Sequence, residues 1–90
     1  MSAMSSIRVV AEFQSSAITG AAIEAAAAEL HLLHPDIAGS KDGTLHLSCV
    51  VTASSNDLAV RYLIKRVRAT LAALGVDDTT VIVLLVEPDT

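Results

Sequence analysis

Flat side chains are almost missing from this chain. Its 90 residues include one phenylalanine, one tyrosine and no tryptophan. That excludes recognition of single-stranded nucleic acid or sugars by stacking platforms. Cysteine is as scarce. Cys49 stands alone, so no internal disulfide is available, and its place inside an apolar run reads as a buried free thiol in a reducing compartment. Positive charge is in deficit, with a net charge of −4, so no overall field gathers nucleic acid. No uncharged apolar run reaches the roughly 18 residues of a membrane span. Glu24 and Glu29 interrupt the best candidate. Residues 1–6 are a loose polar lead without the apolar centre of a secretory leader. The expectation is a cytoplasmic protein with neither nucleic acid nor a membrane interior as partner.

What the chain does have is aliphatic side chains in a repeated order: 52% of it is hydrophobic. Twice, a short apolar run leads into two serines and then into an amphipathic helix. The first copy is residues 7–13, Ser15-Ser16 and residues 17–33. The second is residues 45–53, Ser54-Ser55 and residues 58–74. A third apolar run, residues 81–86, follows. The runs alternate as half-buried strands do, with Ile7, Val9, Ala11 and Phe13 on one face and Leu45, Leu47, Cys49, Val51 and Ala53 on another. The helical stripes are Ile18, Ala22, Ala26, Leu30 and Leu33, with Ile23 at the edge, and Val60, Leu63, Ile64, Val67, Leu71 and Leu74. Ser15 or Ser16 is placed to cap the first helix, and Ser54 with Asp57 makes a capping box for the second. Pro35 stops the first helix and Gly75 ends the second. Lys41-Asp42-Gly43 reads as a hairpin turn, and residues 36–40 as a short edge strand.

The order is strand, helix, strand, strand, helix, strand. With right-handed crossovers this predicts an α+β, ferredoxin-like βαββαβ sandwich in one domain over residues 7–88, with both helices on one face of the sheet. The other face is then open. By alternation it shows Arg8, Val10, Glu12, His46, Ser48, Val50, Thr52, Val83, Leu85 and Glu87. Its apolar centre, Val10, Val50, Val83 and Leu85, reads as a self-association surface, because a contiguous apolar patch on a small protein marks a contact site. The alternative is a ligand or active site on the same face.

Candidate chemistry is sparse. Arg8, Glu12, His46, Ser48 and Glu87 form the one polar cluster with an acid–base pair and a hydroxyl. No nucleophile elbow, phosphate loop or helical zinc signature accompanies it, so an enzyme is the less favoured reading. His31, His34 and His46 are the weak metal-ligand candidates; their spacing matches no zinc pattern, and no resident cofactor is expected. Glu29, at the edge of the first stripe, is either a partly buried acid or an ion-pair partner. Arg61, Lys65 and Arg68 share one side of the second helix, the pattern of a solvated face or of a contact for phosphate or an acidic partner.

His34-Pro35-Asp36-Ile37, the Asp42-Gly43 turn, the following strand and helix, and the closing Val86-Glu87-Pro88 resemble the cytoplasmic domain of cation diffusion facilitators. That resemblance implies a dimerising domain with a metal near a histidine comparable to His34 or His46. Residues 58–86 also resemble small bacterial alkaline-shock envelope-stress proteins, which implies action through protein contacts. Both lead to a non-enzymatic module that associates with itself, most simply as a dimer, or with another protein. A ligand- or metal-responsive regulatory domain is the alternative.

Overall fold

The computed structural model describes residues 4–89. Its elements are β1 (Ser5–Gln14), α1 (Gly20–Glu29), a 3-10 turn (His31–Leu33), β2 (Thr44–Ala53), α2 (Asn56–Ala73) and β3 (Thr80–Pro88). The three strands form one antiparallel sheet in the order β2-β1-β3. This is the α+β, ferredoxin-like arrangement. The polar lead is shorter than its composition suggests, since Ser5 and Ser6 already pair with Ala53 and Thr52; residues 1–3 lie outside the described ones.

The edge strand at residues 36–40 shrinks to one bridge. Asp36 and Ser48 exchange both backbone hydrogen bonds, at 2.8 and 2.9 Å. Ser40 then substitutes a side chain for a strand: the His46 N–H donates to Ser40 Oγ (3.0 Å) and the Ser40 hydroxyl donates to the His46 carbonyl (2.8 Å). Lys41 and Thr44 close the turn around Asp42-Gly43. Gly43 sits at φ 87, the left-handed geometry that a type II turn requires at its third residue. The chain thus reverses direction along β2 without building a second ladder.

The first helix starts later than its stripe. The Ser15 N–H donates to the Gly43 carbonyl and the Gly43 N–H donates to the Ile18 carbonyl, so residues 15–18 are tied to the turn and cannot coil. Ser15 instead caps the local bend at Ala17, and Thr19 caps α1 through the Ala22 N–H (3.3 Å). After α1 the chain tightens, and His34 adopts φ 51 immediately before Pro35, which disfavours helical geometry in its neighbour. For α2 the capping serine is Ser55, not Ser54, with Leu58 N–H as donor (3.2 Å). Its end is a Schellman motif: Gly75 at φ 87, Gly75 N–H to Ala72 and Val76 N–H to Leu71, with Val76 buried beneath it.

The core lies between the helices and the inner rows of β1 and β2. Val9, Ala11, Phe13, Leu45, Leu47 and Cys49 are fully buried there with Ala26, Ala59, Leu63, Val67 and Leu71. Ala59 joins this stripe, whereas Leu74 stays half exposed. β3 is different. Only Val81 and Val86 pack partly against the core. Ile82, Val83, Leu84 and Leu85 are 41%, 40%, 51% and 44% exposed. A bulge explains their placement: Val10 faces Leu85 but the next residue, Ala11, faces Val83, so Leu84 is the extra residue. Directly opposed residues share a face, which sends Val83 to the helix side with Ala11 and Ile82 to the open side with Glu12. This reverses the alternation expected for Val83, because one inserted residue exchanges the faces of everything beyond it.

Two substitutions separate core from edge. Leu63→Ala should cost about 2–5 kcal/mol in urea unfolding, since its side chain has no exposed surface and leaves a cavity. Leu84→Asp should leave the far-ultraviolet circular dichroism native.

Candidate functional site

The open face is three strands wide and its rows follow from the register. Arg8 lies between Val50 and Glu87, Val10 between Ser48 and Leu85, and Glu12 between His46 and Ile82. The apolar strip is therefore Val50, Val10, Leu85 and Ile82. Val10 and Val50 are half buried, while Leu85 and Ile82 are exposed. Ile82 takes the place expected for Val83. No sequence signal marks the exchange, because the bulge carries no glycine.

The polar cluster is adjacent in space but not wired together. Arg8 donates to Asp89 at 3.2 Å, an exposed pair of little energetic weight. Glu12 accepts from the Gln14 amide at 2.7 Å. His46 stands opposite Glu12, yet no hydrogen bond joins them among the described residues. The His46 ring lies beneath Gly39, within 3.8 Å of where a Cβ would be, and its Nδ1 is buried without a hydrogen-bond partner among the described residues. An acid–base pair needs its two groups within hydrogen-bond reach of one another or of a shared substrate. Ser48 is half buried in β2, its backbone held by Asp36, and Glu87 is exposed near the end of β3.

The three histidines stay in separate settings. His31 Nδ1 lies 2.9 Å from the Ala28 carbonyl, His34 forms the left-handed cap after the 3-10 turn, and His46 is in β2. No group of three His, Cys, Asp or Glu suited to a metal occurs among the described residues. Glu29 is an ion-pair partner: its carboxylate lies 3.9 Å from Arg66, with both side chains well exposed. Arg61 pairs with Asp57 one turn earlier at 3.1 Å, which partly neutralises the basic stripe of α2.

Backbone groups distinguish the two edges of the sheet. On β2 the outward-pointing groups of Thr44, His46 and Ser48 are taken by Lys41, Ser40 and Asp36. On β3 the outer groups have no partner among the described residues. The most exposed apolar strand is thus also the one whose outer edge is unpaired along its length among the described residues. No helix of the described residues is long and apolar enough to cross a membrane. Compared with protein-family models, curated proteins and solved structures, the chain gives no match.

Cys49 faces the helices and is fully buried. Burial pushes its thiol from the ordinary 9.0 up to about 11, because the thiolate loses its hydration. The folded state therefore holds this proton where the unfolded chain has released it. Stability from this group is intact below pH 9 and falls as pH rises toward 11, by on the order of 2 kcal/mol. Urea unfolding between pH 8 and 11 should show that loss (the range is about that of the shift), and Cys49→Ala should flatten it relative to the wild-type chain.

Proposed function

We propose that this protein is a small non-enzymatic module that works by associating with a second copy of itself, and through that assembly with other proteins. The carrying observation is β3. Four consecutive aliphatic side chains, Ile82 to Leu85, are each at least 40% exposed on a strand paired along one side only. Soluble monomers seldom leave a contiguous apolar strand of this kind at an edge.

Energetics favour an extensive contact over a single anchor. Covering these side chains in two copies removes roughly 500 Å² from water, worth on the order of 10 kcal/mol before costs. Association itself costs about 4–15 kcal/mol, so further contacts must contribute. The unpaired backbone of β3 and the neighbouring Val10 on the open face are the nearest sources. A cytoplasmic setting is part of the proposal, supported by the single buried thiol. The net charge of −4 and the scarcity of aromatics favour protein contacts over nucleic acid.

Sedimentation velocity at about 50 μM, well above the micromolar dissociation constants of ordinary specific contacts, should show a dimer. Leu85→Asp should sediment as a folded monomer with native circular dichroism. A wild-type chain that remains monomeric at that concentration contradicts the reading.

A further inference from the structure

We infer that two copies join edge to edge through β3, running antiparallel about a two-fold axis, so that two three-stranded sheets become one sheet of six. This rests on the self-association proposed above and commits it to one geometry.

The direction of the backbone groups supplies the first argument. Thr44, His46 and Ser48 turn their backbone groups away from β1. Their partners Gln14, Glu12 and Val10 must then point theirs the other way, toward β3. Across that pairing they meet Thr80, Ile82 and Leu85. The alternate residues Val81, Val83 and Val86 therefore present their N–H and carbonyl groups outward. This is a ready template for another strand.

The bulge supplies the second. In a regular strand Ile82 and Leu85 would lie on opposite faces, as would Val81 and Val86. With Leu84 inserted, Ile82 and Leu85 are both on the open face, and Val81 and Val86 are both on the helix side. A two-fold axis between Val83 and Leu84 then sets Ile82 opposite the partner's Leu85, and Val81 opposite the partner's Val86, with faces matched. Thr80 meets the partner's Glu87. Residues 80–86 carry no charge, proline or glycine, so the pairing opposes no like charges and loses no donor. The strand is self-complementary about its own middle.

Closure supplies the third. The long edge of β2 is already capped by the loop at residues 36–41, leaving only the outward groups of Val50 and Thr52. With one long free edge per copy, assembly stops at two.

Amide hydrogen exchange by NMR on the intact chain tests this at two protein concentrations on either side of the dimer transition, alongside sedimentation of Val86→Pro and Val50→Asp. Val86→Pro deletes an outward donor and no bond to β1. Val50→Asp charges the open face far from β3. The expected result is that the Val81, Val83 and Val86 amides exchange about tenfold or more slowly in the dimer. Val86→Pro should be a folded monomer and Val50→Asp should still dimerise. A dimer whose three amides exchange as in the dilute monomer, and which Val50→Asp dissociates, overturns the edge geometry while leaving self-association standing. A wild-type monomer at both concentrations removes both. If Val86→Pro fails to fold, the wild-type exchange rates decide alone.

Discussion

Everything in this structure depends on how much sheet two helices, one of them only ten residues long, can cover. The stripe of α2, from Ala59 through Leu63 and Val67 to Leu71, lies on the inner rows of β1 and β2, with the small α1 face of Ala22, Ile23 and Ala26 beside it. Those rows become dry, and their alternation is then fixed, because any slip would turn a buried row to water. The third strand lies at the margin of this cover. Only Val81 and Val86 reach the core, and the aliphatic residues between them stay half in water. A chain of this length buries a modest share of its surface in any case. Here the shortfall is concentrated in one strand rather than spread over the molecule.

The two edges of the sheet show how the same problem is met in opposite ways. At β2 the chain covers its own edge with the least material: one bridging residue, one serine hydroxyl and one tight turn. Ile37 packs against the core and anchors that loop. One polar atom is left over, His46 Nδ1, buried under Gly39 without a partner among the described residues, and such an unsatisfied atom costs about 1–3 kcal/mol. At β3 nothing in the described chain plays this part. The bulge breaks the alternation there, yet it also equalises the two ends of the strand. In the proposed assembly, a feature that commonly protects an edge would suit it to a copy of itself.

Much of the fold was legible in the residues. The alternation of Ile7 to Phe13 and of Leu45 to Ala53 named the buried rows of β1 and β2. Of the first helical stripe, Ala22 and Ala26 lie on the buried face of α1, and Ile18 and Leu30 are buried just beyond its two ends. Element ends were less so. Two serines in a row offer two caps, and the choice of Ser55 depends on where the helix is pulled by packing. Residues 17–19 were lost to the helix because Ser15 and Ile18 are tied by backbone bonds to Gly43, a contact distant in sequence. The edge strand failed because Ser40 and Asp36 satisfy β2 with single contacts, which leave no periodic trace. Of the candidate site, Val10, Val50 and Leu85 are on the open face, and Val83 is not. A run of seven uncharged residues in β3 contains no polar mark to reveal an inserted residue. The polar cluster was legible as neighbours, but the partners that occupy Arg8 and Glu12, namely Asp89 and Gln14, are set by side-chain geometry.

If association of two copies stabilises the exposed third strand, folding and assembly are linked. Thermal unfolding followed by calorimetry over about a hundredfold range of protein concentration tests it most directly. Linkage predicts a midpoint that rises with concentration, since the folded chain binds a second copy and the unfolded chain does not. A midpoint that stays constant across that range would contradict the account.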